Sequence, residues 1–225
     1  MRSIIFAIFF LIAGFSFSQA KDYGIPKTGK DIYSFIPNGY DTLMIAEGDL
    51  NKDKVPDVVM VLRHNDEKED DLEKIDTDSI PSRILLVLFR KGNVYKLSDV
   101  SAAAILCKHC GGIMGDPFLS VSIENGLLLV DHYGGSAWRW SYKHKFRFQN
   151  NAFFLIGQTY LYYWNVEMCE KLDAFAGTEY EDINFVTGSY EKKKVSQEGC
   201  KLLENKKGKK PVKLLVKLSK FSFRN

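Results

Sequence analysis

The sequence predicts a mainly β fold, an antiparallel sheet or sandwich with one short helix, and two observations carry that prediction. Trp138, Trp140, Tyr142, His144, Phe146 and Phe148 alternate without a break with Arg139, Ser141, Lys143, Lys145 and Arg147. Period two gives a strand with one aromatic and one cationic face. Asn125-Gly126 then divides two apolar runs, Phe118 to Glu124 and Leu127 to Tyr133, which is the strongest short-range hairpin signal.

Taken in order, Met1 to Ala20 has one early arginine, an apolar core from Ile4 to Phe17 and the small-residue exit Ser18-Gln19-Ala20. It reads as a secretory signal peptide cleaved after Ala20 or Ser18, with a core too short for a lasting membrane span. No cysteine follows the cleavage region, so the pattern gives no lipid anchor. Residues 21–225 are then expected to form a single β-rich domain, secreted or periplasmic, with no transmembrane span after cleavage. That length buries a sizeable core unaided.

Lys21 to Tyr40, with Pro26, Gly29, Pro37 and Gly39, reads as an irregular lead-in. Strands are expected at Thr42 to Glu47, Val55 to Arg63, Arg83 to Arg90 and Val94 to Leu97, the last two joined by Lys91-Gly92-Asn93. After the Asn125-Gly126 hairpin and the alternating strand, Ala152 to Trp164 is apolar on both faces and reads as a central strand. Later strands are expected at Ile183 to Lys194 and Val212 to Phe221, with the short helix at Glu167 to Ala176.

Between the first two strands lies Gly48-Asp49-Leu50-Asn51-Lys52-Asp53-Lys54-Val55-Pro56-Asp57. Asp49, Asn51, Asp53 and Asp57 put side-chain oxygens at positions 1, 3, 5 and 9 of a tight turn, and Val55 offers a backbone carbonyl at position 7. Alternate oxygens that converge on one point suit Ca2+, a hard cation taking six to eight oxygen ligands. The bland reading of the same residues is a set of Asx-turns closing a hairpin. Position 12 is Met60 rather than a bidentate glutamate, which disfavours an EF-hand.

These residues resemble the calcium-binding turns of FG-GAP/VCBS-type repeats, whose pattern is Asp-x-Asn-x-Asp-Gly-x-x-Asp between two strands. Here position 6 is Lys54, so a non-glycine residue has to take the sharp turn. The resemblance covers residues 48–62 and implies a structural Ca2+ within a sub-unit at 41–100. No second such loop and no repeat period is present, which argues against a propeller.

Charge is uneven within a sum of +3. Asp66 to Asp78 holds eight acids against two lysines and reads as a solvated loop; Glu191 to Asn225 holds twelve Lys/Arg against three Glu. The basic tail carries no nucleic-acid recognition motif, so no nucleic-acid partner is expected. It reads first as a solvated face, with anionic lipid and polyanionic glycan as other partners of suitable charge.

Four cysteines allow three pairings. Cys107 with Cys110 and Cys169 with Cys200 is preferred, because the second bridge would staple the late helix to a C-terminal strand. Cys107-Lys108-His109-Cys110 also admits a zinc or a thioredoxin-like reading, but it lacks a second knuckle and a βαβ setting. His132, with Asp116 or Ser136, holds the residue types of an acid-base site, although neighbours on a regular strand point to opposite faces. The exposed Trp138, Trp140 and Tyr142 of a sugar platform are the rival of an aromatic core face.

Cys107 to Phe118 and His132 to Trp140 together resemble secreted bacterial proteins that also carry the calcium-type turn, which implies export and no particular activity. The sequence thus points to a calcium-stabilised β-domain that binds an envelope protein or glycan. The alternatives are a periplasmic hydrolase with a site around His132, and an envelope inhibitor or immunity-type protein whose acidic loop meets a basic partner.

Overall fold

The computed structural model describes residues 23–68 and 81–223. The expected signal peptide and most of the acidic run from Asp66 to Asp78 lie outside them. The chain builds two antiparallel sheets. The first contains β1 (Thr28–Gly29), β2 (Tyr40–Gly48), β3 (Asp57–His64), β4 (Ile84–Lys91) and β5 (Val94–Ser101), in the order β1-β5-β4-β3-β2.

The second contains β6 (Phe118–Glu124), β7 (Leu127–Gly135), β8 (Trp138–Gln149), β9 (Ala152–Cys169), β10 (Ala174–Asn184), β11 (Ser189–Val195) and β12 (Leu202–Lys209). It is a meander in which each strand pairs with its neighbours in sequence. The remaining regular pieces among the described residues are single 3-10 turns. The mainly β expectation is therefore met.

The two sheets share one core. Val59, Val61, Leu85 and Val87 from the first meet Val121, Leu128, Val130, Phe146, Phe153 and Leu155 from the second. β3 and β4 are apolar on both faces because both faces are covered. Their alternate residues Val58, Met60, Leu62, Ile84, Leu86 and Leu88 lie under Phe35, Tyr23, Ile25, Ile32 and Ile36 of the lead-in. The lead-in is thus irregular, as its Pro and Gly content predicts, yet it forms the outer lid of a sheet face.

Three element expectations are corrected. Glu167 to Ala176 is not a helix: β9 runs on to Cys169, Glu170–Leu172 is one 3-10 turn, Asp173 turns at φ +46°, and β10 begins at Ala174. Helix propensity is a weak prior, and the ladder pairing Ala174 with Cys169 and Phe175 with Met168 overrides it. Ile183 to Lys194 is broken at Asn184–Gly188, where Asn184 Oδ1 accepts the Val186 and Thr187 N–H groups and Gly188 turns at φ +73°. Val212 to Phe221 is not a strand beyond a single bridge between Lys217 and Phe154. The segment instead leaves β12 and meets the start of β9, where Leu155 N–H donates to Val216 O, before Leu218 and Phe221 enter the core.

Candidate functional site

The calcium-type turn joins β2 to β3 as a tight turn whose side-chain oxygens accept backbone N–H groups. Lys52 and Lys54, at positions 4 and 6, both adopt left-handed backbone at φ +68°, so Lys54 takes the turn that the pattern gives to glycine. Asp49 Oδ1 accepts the Lys52 and Asp53 N–H groups at 2.6 and 3.2 Å, and its Oδ2 accepts Lys54 N–H at 2.9 Å. Asn51 Oδ1 accepts Asp53 N–H and Asp53 Oδ1 accepts Val55 N–H, both at 2.8 Å. These are Asx-turns in series.

Asp57 closes the turn from inside the molecule. It is fully buried, with Oδ2 on Leu50 N–H at 3.0 Å and Oδ1 on Arg90 N–H at 3.1 Å. Burial pushes its carboxyl up from the usual range and the charge of Asp53 adds to that, against the lowering effect of the Leu50, Arg90 and Asn51 amides. Leu50 is buried in the shared core, and Gly126 at the tip of the β6–β7 hairpin faces the Asp49 carbonyl. The turn therefore sits where the sheets meet. Among the described residues no three His, Cys, Asp or Glu side chains converge closely enough to hold a metal ion between them.

A second constellation, which the sequence did not reveal, surrounds Arg83. Its guanidinium, 2% exposed, donates to Glu67 Oε1 at 2.7 Å, to Leu106 O at 3.1 Å, and to both Asp116 oxygens at 2.8 and 2.6 Å. Glu67 is 4% exposed and also accepts Lys108 N–H. The reading of the acidic run as solvated fails at this residue. A buried carboxylate needs a partner, and Arg83 provides it in a fixed, forked geometry. A cleft of about 390 Å³ opens alongside, lined in part by Glu67, Arg83, Lys108, Ile105 and the cysteine bridge. Nothing in the spacing of Glu67, Arg83 and Asp116 signals this meeting.

Cys107 and Cys110 form one disulfide and Cys169 and Cys200 the other. The first takes both thiols away from the zinc reading. The second ties the end of β9 to the turn between β11 and β12, so the staple joins strands rather than a helix and a strand.

His132 is 1% exposed and its Nε2 accepts Leu106 N–H at 3.2 Å. Burial above all, with the nearby His144 and Arg83, pushes its pKa down to about 3. Asp116 is held by Arg83 and by Phe118 N–H. Ser136 is exposed in the turn from β7 to β8, where its N–H donates to Trp138 O. The fold thus places Asp116 in the arginine cluster, His132 in the core and Ser136 at the surface.

The aromatic row divides along its length. His144 and Phe146 are buried, packed edge-on against Phe221 at 4.8 and 5.4 Å between ring centres. Trp138, Trp140 and Tyr142 are half-buried. Trp138 stacks on Tyr162 at 4.9 Å and 7°, which occupies a ring face that a sugar would need. Compared with known proteins, the chain matches no family model, no curated protein and no solved structure.

Proposed function

We propose that this protein is a secreted or periplasmic binding domain of the cell envelope in which a structural Ca2+ pins the turn between β2 and β3. The observation that carries the reading is Asp57, a fully buried carboxylate held by the backbone amides of Leu50, Asn51 and Arg90 with no cationic side chain beside it among the described residues. A buried carboxylate without a counter-charge is costly, and a divalent cation relieves that cost. Asp49, Asn51, Asp53 and Asp57 would supply side-chain oxygens and Val55 its carbonyl, with water completing the shell. Asp49 Oδ2 and Asp53 Oδ1 each show a single backbone donor in these bonds and keep a lone pair for a metal, as does the Asp57 carboxylate beyond its amides, whereas Asp49 Oδ1 already accepts two. The exposed Asp53 side chain has room to turn toward an ion.

In this role the metal does no chemistry. It holds the strands in register at the joint between the sheets, and the two disulfides suit an oxidising compartment. Among the described residues no helix is long and apolar enough to cross a membrane. No observation favours hydrolysis at His132, whose Nε2 is already engaged by Leu106 N–H. Thermal melts of residues 21–225 with Ca2+, with EDTA and with Asp53→Ala test the reading. Calcium at about a hundred times its Kd adds roughly 2.7 kcal/mol, a rise in Tm of about 5 to 10 °C for a domain of this size. Asp53→Ala abolishes that rise; identical melts in all three would leave the turn as a hydrogen-bonded hairpin closure.

A further inference from the structure

The segment after β12 is apolar where a soluble edge should be polar. Leu214 is 98% exposed, Val212 57% and Val216 43%. The segment is nevertheless fixed at both ends: Lys210 N–H donates to Gly188 O, Leu155 N–H donates to Val216 O, and Leu218 and Phe221 turn into the core. Its exposed side chains are therefore presented on a held backbone rather than a loose end. Behind it lies an apolar recess of about 450 Å³, walled by Leu155, Ile183, Phe185, Pro211, Val212 and Leu215.

Charge identifies the occupant. Lys206, Lys207 and Lys210 are tied to Glu204, Glu191 and Glu181. Among the described residues Lys209 and Lys213 show no ion pair, although both are exposed and flank the apolar tip. Free cations around protruding leucine and valine side chains match a surface that is anionic outside and apolar beneath. We infer that the strap from Lys209 to Lys217 docks on an anionic lipid surface, with Leu214 entering the acyl boundary and Lys209 and Lys213 among the headgroups. This goes beyond the calcium reading and requires no metal, resting on it only for a location where lipid is within reach.

The test is co-sedimentation of residues 21–225 with vesicles of phosphatidylcholine alone and of phosphatidylcholine with about a third phosphatidylglycerol, in EDTA and in Ca2+. The expected result is preference for the anionic vesicles in both solutions, weakened by added salt. Lys209→Gln with Lys213→Gln lowers partitioning on the order of twentyfold, at roughly fivefold per lysine. Leu214→Gln lowers it about tenfold or more, and its exposure leaves folding unaffected. Lys30→Gln, an exposed lysine of the lead-in outside the strap, leaves it unchanged.

Equal binding to both vesicles, or Leu214→Gln binding as the parent does, overturns the proposal. So does attachment that appears only with Ca2+, which would place the contact elsewhere, and so does lipid-free self-association abolished by Leu214→Gln, which would make the strap a contact with a second copy. A melt without a calcium shift, by contrast, defeats the metal reading and leaves this one standing.

Discussion

His132 and His144 show how a residue's surroundings reverse its usual chemistry. Both are buried, at 1% and 2% exposure, and burial pushes their pKa values down to about 3 and about 4. At His132 an added proton would have to displace the Leu106 N–H from Nε2, and at His144 burial outweighs a hydrogen bond with Gln158 that favours the charged form. In the unfolded chain both titrate near 6.5. Below that pH the unfolded state binds more protons, and stability falls with pH down to the folded values. Each histidine contributes roughly 1.4 kcal/mol per pH unit across that window. Urea titrations at pH 7, 6 and 5 should show a steep loss, and His144→Gln should remove about half of the histidine slope. An unchanged slope would mean that other groups drive acid unfolding. Asp57, Asp99 and Asp131, raised by burial, work in the opposite direction at lower pH.

At the scale of elements, the two disulfides do unequal work. Cys169–Cys200 closes a loop with a sequence separation of 31 and clamps β9 to the β11–β12 turn, while Cys107–Cys110 spans only 3. The chain-entropy model gives the first roughly 3 to 4 kcal/mol and the second about 2 kcal/mol. Replacing Cys169 and Cys200 together by alanine should therefore lower the denaturant midpoint more than the corresponding change at Cys107 and Cys110. Hydrogen exchange should locate the loss in β10 to β12, and equal losses from both pairs would contradict the loop-length argument. The long bridge takes on this weight because, among the described residues, the outer strands β10 to β12 are held by a small separate cluster around Cys169, Ala176 and Val195, with Phe185 just after β10 reaching the main core.

For the whole molecule, closure depends on the last residues. Phe221 and Phe223 pack against His144, and Phe223 also meets His132 and Tyr142. Phe221 and Phe223 thus seal the core against which both sheets pack. Phe221→Ala should cost about 3 to 5 kcal/mol, with the m-value unchanged, because a cavity opens at a site both sheets line. A loss below 1 kcal/mol would mean that the strap merely rests on the core.

Local pattern was enough for the strands from β2 to β9, for the hairpin at Asn125-Gly126 and for a tight turn of Asx type from Asp49 to Asp57. Alternation and turn chemistry are properties of neighbouring residues, so they can be read one stretch at a time. The preferred cysteine pairing was also legible, although the staple it forms joins strands where a helix was expected. What only the tertiary structure decided was which elements meet. Glu67, Arg83 and Asp116 lie far apart in sequence and converge through folding alone, and the irregular lead-in becomes a lid because β3 and β4 have two apolar faces to cover. The strand expected at Val212 to Phe221 became a strap for the same reason. Its residues alternate suitably, but beyond one bridge at Lys217 the segment leaves the ladder because Leu218, Phe221 and Phe223 are taken into the core.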